Sequence, residues 1–89
     1  MNELRVNRDR LWDSIVETSK FGATPAGGMN RLTLSDEDRM ARDWFVAACK
    51  AVGCSVTVDN VGNIFARRPG TDNSRPPIAM GSHLDTQPM

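Results

Sequence analysis

The hydrophobic positions of this chain change their period from one end to the other. Between about Asn7 and Lys20 the helical pattern dominates: Leu4, Leu11, Trp12, Ile15 and Val16 recur at spacings of seven, four and one. That spacing puts them on one face of a helix. Asn7 is placed to cap it by accepting a bond from a free backbone N–H of the first turn, and Gly22 ends the run. The stretch "FGATPAGGMNRL" is rich in glycine and proline and predicts a loop. Its Gly27-Gly28 pair either lines a pocket or turns the chain, and turning is the plainer reading.

The helical period returns after Ser35. Met40, Trp44, Ala47 and Ala51 form one row, and Ala41, Phe45, Ala48 and Val52 the adjacent one. Together they make a broad apolar stripe suited to lying on a sheet. Ser35 supplies a capping hydroxyl just before Asp36, Glu37 and Asp38, whose charges meet the positive end of the helix dipole. The acidic run therefore reads as a solvated, capped helix start and not as a metal cluster. Lys50 falls in the last turn and Gly53 just beyond it, where a helix stop belongs.

Past Gly53 the pattern alternates. "CSVTVD" sets Val56 and Val58 on one face, "NVG" turns, and "NIFARR" resumes, which is a hairpin signal. Arg67, Arg68 and "PGTDNSRPP" predict a strand running out into a solvated loop. "IAMGSH" is short, apolar and bounded by proline on one side, as a strand buried on both faces would be. The predicted order is helix, helix, strand, strand, strand, an α/β plan without internal repeats.

Size and composition narrow the classes. Eighty-nine residues suit one small domain or part of a larger one. Eleven basic side chains balance eleven acidic ones, so charge gives no reason to expect nucleic acid or an anionic membrane as partner. No apolar run approaches a membrane span, and "MNELRVNRDRLWD" lacks the apolar core of a secretion signal, so the expected compartment is the cytoplasm. Cys49 and Cys54 do not form a C-x-x-C pair and read as reduced packing residues.

The candidate chemistry lies in "PPIAMGSHLDTQPM". Ligands of open α/β sheets gather at the carboxyl ends of strands. His83 and Asp85 are expected at such an end, with Gly81 and Ser82 leaving little bulk beside them. A neutral imidazole is a good donor to zinc-like ions. A carboxylate that accepts its other ring N–H fixes the tautomer and makes the ligating nitrogen more basic. On spacing alone His-x-Asp leaves both readings open, a metal ligand and an ordinary structural or surface histidine.

"GSHLDTQP" resembles the first metal-site motif of the M20-type metallopeptidase and amidohydrolase superfamily. "GGMNRLTLSDEDRMARDWF" and "VDNVGNIFARRPG" resemble one branch of it: the N-carbamoyl-L-amino-acid hydrolases with the related allantoate amidohydrolases and β-ureidopropionases. The likeness runs from about Arg5 to Pro88. It implies that residues 1–89 are the N-terminal part (two helices, a β-hairpin and one buried strand) of a zinc-peptidase-like three-layer α/β/α catalytic domain. That domain would hold two divalent ions (zinc, manganese or cobalt), and a dimerisation domain would follow later in a homodimeric parent. Carried over by position, His83 matches the histidine that ligates one metal. Asp85 matches the catalytic-site aspartate that orients this histidine without being a primary ligand. The resemblance assigns no role to Arg31, Asn60 or Asn63.

The implied activity is hydrolysis of a linear C–N bond in an N-carbamoyl or ureido substrate. The family's remaining metal ligands and its general-base glutamate have no counterpart before Met89. One histidine does not hold a catalytic zinc, which takes three protein ligands as a rule, so this chain alone is expected to be inactive. A different peptidase or deacylase of the superfamily, or a non-enzymatic interaction module, are the alternative expectations.

Overall fold

The computed structural model describes residues 4–87; Pro88, which ends the stretch of resemblance, lies outside them. It has two helices followed by two strands: α1 (Arg8–Thr18), α2 (Asp36–Ala51), β1 (Ser55–Val58) and β2 (Ile64–Arg67). This is an α/β arrangement. Asn7 caps α1 as expected, its side chain accepting from the Arg10 N–H at 3.0 Å. The apolar face of α1 is not covered, however, and Leu11, Trp12, Ile15 and Val16 are all exposed.

Helix α2 is closed at both ends. Ser35 accepts from the Asp38 N–H at 3.1 Å, and Asp38 returns the bond by accepting from the Leu34 N–H at 3.1 Å. The reciprocal pairing satisfies two donors that the helix itself cannot. Asp38 is buried by it, which corrects the expectation that the whole acidic run is solvated. At the other end the Gly53 N–H bonds the Lys50 carbonyl at 3.1 Å and the Cys54 N–H bonds the Cys49 carbonyl at 3.0 Å. Gly53 takes φ +87° to make this closure, a conformation that costs a glycine little.

The strands pair antiparallel with Ser55 opposite Arg67 and Val58 opposite Ile64. Asp59 organises the connection: its carboxylate accepts from the Val61 and Asn63 N–H groups and from the Asn63 side-chain amide, at 2.8–3.0 Å. Asn63 thus has a structural place in the turn. Helix α2 packs on β1, and Ala41 at its inner face is the fully buried hydrophobic residue among those described. Cys49 and Cys54 are free and half-buried, in keeping with packing roles. Burial, with the neighbouring Cys54 adding to it, raises the Cys49 thiol above its ordinary value.

One expected element is not formed. Residues 78–83, read as a buried strand, make no ladder and are exposed throughout, Ile78 at 93% and Met80 at 92%. The reason is the lack of a neighbour: β1 and β2 bond each other, and no further described strand or helix covers the run. An apolar segment becomes a strand only where another strand accepts its backbone groups. No helix among the described residues is long and apolar enough to cross a membrane.

Candidate metal-ligand site at the His83 turn

His83 stands just before a bend at Leu84 and not at a strand tip. Its Nδ1 lies 2.8 Å from the Asp85 backbone carbonyl and 3.4 Å from the Asp85 carboxylate. A carbonyl oxygen only accepts, so the contact requires Nδ1 to carry the proton, and in the neutral ring this leaves the lone pair on Nε2. The ring is 75% exposed, and Nε2 has no hydrogen-bond partner among the described residues. A donor nitrogen is therefore presented outward with its tautomer set from behind.

Asp85 lies behind the ring. The carboxylate was expected to take the Nδ1 proton, but the Asp85 carbonyl is the nearer acceptor. The carboxylate is engaged elsewhere. Chiefly the Thr33 hydroxyl holds its pKa below the ordinary value, with the His83 ring contributing in the same direction. Asp85 thus stays ionised beside the imidazole, where a negative charge strengthens the outward nitrogen as a donor to a cation.

The turn is built on Arg31, which sequence reasoning left without a role. The backbone of Arg31 meets Thr86 twice: its N–H donates to the Thr86 hydroxyl at 2.8 Å, and its carbonyl accepts from the Thr86 N–H at 2.7 Å. The buried Arg31 side chain donates from Nε to the Leu84 carbonyl at 2.8 Å. It also donates from one terminal nitrogen to the Thr18 and Phe21 carbonyls at 2.7 and 3.0 Å. Thr18 is the last residue of α1 and Phe21 lies in the turn that follows it, so the positive side chain meets the negative end of the helix dipole. Sequence alone gave no signal for this, because the partners lie 53 and 55 positions away.

The glycine-rich loop carries Arg31 into place. The Thr24 N–H donates to the Gly28 carbonyl at 3.0 Å and the Gly28 N–H to the Thr24 hydroxyl at 2.9 Å, Gly27 turns at φ +88°, and Ala23 pairs with Met29. The expected turning role of the Gly27-Gly28 pair is therefore seen; the same loop also borders a shallow depression with Ser19 and Met29. Gly22, at φ +102°, passes so close to the next strand of loop that an added Cβ would sit 2.6 Å from the Asn30 carbonyl oxygen.

The donor set at His83 fits one metal ligand with an oriented, ionised neighbour. It does not fit a complete site, because no group of three or more histidine, cysteine, aspartate or glutamate side chains converges among the described residues.

No family model matches the chain. It is 52% identical over 84 residues to an N-carbamoyl-L-amino-acid amidohydrolase from Rhizobium meliloti, covering 94% of this chain and 20% of that protein. It is 37% identical over 79 residues to the allantoate amidohydrolase of Escherichia coli K12, covering 89% of this chain and 19% of that one. Among solved structures, a hydantoinase/carbamoylase family amidase from Burkholderia ambifaria superposes with a TM-score of 0.92 at 49% identity, covering 98% of this chain and 22% of that chain. An amidase of the same family from Burkholderia vietnamiensis gives 0.90 at 52% identity. The chain spans about a fifth of the length of these relatives.

Proposed function

We propose that this chain, a homologue of N-carbamoyl-L-amino-acid and allantoate amidohydrolases over nearly all of its own length, is the segment of such a hydrolase that contributes one metal-ligating histidine. The observation that carries the reading is the match itself. More than nine-tenths of the chain aligns with an N-carbamoyl-L-amino-acid amidohydrolase at 52% identity, and the same fold is found in a solved amidase at a TM-score of 0.92. The geometry at His83 supports it independently, since an exposed ring nitrogen with its tautomer fixed is what a cation requires.

In this reading His83 holds the ion through Nε2 while Asp85 orients the ring and keeps a negative charge beside it. Divalent ions held there would supply Lewis-acid chemistry and an activated water. The rest of the ligand set and the general base would come from outside these 89 residues. The substrate class would be small molecules with a linear ureido or amide C–N bond, and the assembled enzyme a cytoplasmic homodimer containing two zinc, manganese or cobalt ions.

A graft tests this directly. The matching residues of the Rhizobium meliloti enzyme are replaced by this chain, and hydrolysis of an N-carbamoyl-L-amino acid is followed with added zinc, manganese or cobalt. Metal-dependent turnover is expected in the graft, and a loss of at least about a hundredfold on His83→Ala, the order that removing one catalytic group costs. Equal turnover in graft and H83A graft would refute the ligand role. The 89-residue chain alone is expected to show no turnover above its own H83A control.

A further inference from the structure

We propose that Arg31 is a positioning residue for the His83–Asp85 pair. Its guanidinium and backbone fix residues 84 and 86, and the turn so held commits His83 Nδ1 to donating inward and Nε2 to facing out. The consequence for metal binding rests on the function proposed above; the geometric claim stands without it.

The argument starts from what holds residues 83–86. They belong to no helix or strand, so no ladder fixes their backbone. The run before them, from Arg68 to Ser82, is exposed and supplies no packing. What remains is the Thr33 bond to the Asp85 side chain and, for the backbone, the contact with Arg31: Leu84 is held by its carbonyl, and Thr86 by both its N–H and its hydroxyl. Asp85 lies between these two anchors. Its carbonyl, which accepts from His83, therefore takes its direction from them. The imidazole is one bond further along the same chain of contacts.

The choice of arginine follows from the shape of the task. The three side-chain bonds go to two separate stretches of backbone: one terminal nitrogen reaches the Thr18 and Phe21 carbonyls, and Nε reaches the Leu84 carbonyl. A rigid planar fork reaches such divergent acceptors with one side chain, whereas a lysine ammonium is a single point on a flexible stem. No carboxylate forms an ion pair with Arg31 among the described residues. The buried cation is offset by carbonyl dipoles, one from the last residue of α1 and one from the turn after it. Its charge does not recommend it near a cation-binding nitrogen. Its geometry does, which makes Arg31→Lys, with charge kept and fork lost, the informative substitution.

His83 is the sole histidine of the chain, so its ring nitrogens can be read without assignment ambiguity. Long-range 1H–15N spectra of the metal-free graft, isotope-labelled only in the 89-residue segment, at a pH where the ring is neutral, should show the Nδ1–H tautomer as the major form. Arg31→Lys and Arg31→Met should each turn the majority over to Nε2–H. Asp59→Ala, which loosens the distant hairpin turn, should leave the tautomer as in wild type and controls for general loss of structure. Retention of Nδ1–H in Arg31→Lys would overturn the proposal, as would an equal shift in Asp59→Ala or a wild-type ring without Nδ1–H preference.

The same graft provides a second readout. There Arg31→Lys should weaken zinc affinity, measured against a chelator, by about 10–100-fold, the range typical for the partners that orient a ligand. Unchanged zinc affinity in that variant would count against Arg31. A wild-type graft with no metal-dependent activity would sink the functional reading while the tautomer spectra still judge Arg31 alone.

Discussion

At the scale of single residues, the side chains that shape the candidate site are those whose partners lie far along the chain. His83 and Asp85 were legible in the sequence because their chemistry is encoded in two letters with only one residue between them. Arg31 was not, since a buried arginine bonded to three carbonyls looks in sequence like any surface arginine. Gly22 was legible only as a helix stop, yet it also permits the close approach that places Arg31. Gly22→Ala should therefore destabilise the graft by roughly 1–3 kcal/mol, the order of cost for a residue forced into a sparsely populated backbone region, with the Asn30 carbonyl in the way as well. Gly27→Ala, at φ +88° with nothing within 4 Å of the added Cβ, should cost less. Thermal midpoints of the two variants compare them; a smaller loss for Gly22→Ala would contradict the close-approach argument.

At the scale of elements, both helices and the hairpin were readable because each is specified within a few residues. Asn7 and Ser35 mark the helix starts, Gly53 marks the end of α2, and the period change after Gly53 marks the strands. The segment 78–83 was misread for a physical reason: its apolar composition describes a strand with neighbours, and here there are none to bond. The closure of α2 was half read. The Ser35 hydroxyl was expected, but the return bond from Leu34 to Asp38 needs Leu34 at φ +69°, which nothing in a leucine advertises.

The hairpin turn offers a test of its own. Bonds from Asn63 chiefly, with those from Val61 and Gly62, hold the Asp59 carboxyl below its ordinary value. A carboxylate lowered by folding stabilises the fold above its unfolded pKa, near 3.9 for aspartate. That contribution disappears as pH falls through the lower folded-state value. Cross-strand contacts between Val58 and Ile64, followed by NMR, should persist at neutral pH and fade in acid. In Asp59→Asn the same acid step should be absent, and its persistence there would show that another group is responsible.

At the scale of the whole molecule, the extents of 47 × 35 × 19 Å leave room for a helix on one side of the hairpin and not on both. Along the apolar stripe of α2, Ala41 is buried and Trp44 and Phe45 are half-buried while Met40 and Val52 stay exposed, and the faces of α1 and of residues 78–80 are uncovered. With Ala41 as the fully buried hydrophobic residue, hydrophobic burial within the chain is small against the conformational entropy of ordering it. The isolated chain should lose its near-ultraviolet dichroism over a broad temperature range, bind hydrophobic dyes and self-associate. A sharp, cooperative melt from a clean monomer in sedimentation would refute this. The grafted segment, surrounded by the remainder of the relative, should instead melt together with its host.

The contacts of Arg31 also set an order of events. Helix caps and the hairpin close over a few residues, whereas Arg31 reaches Leu84 and Thr86 across separations of 53 and 55. Loop closure becomes entropically costlier with length, and local contacts form within microseconds. During refolding, then, secondary structure should mature first and the imidazole should find its orientation last. A nascent chain would carry its helices well before it carries any chemistry.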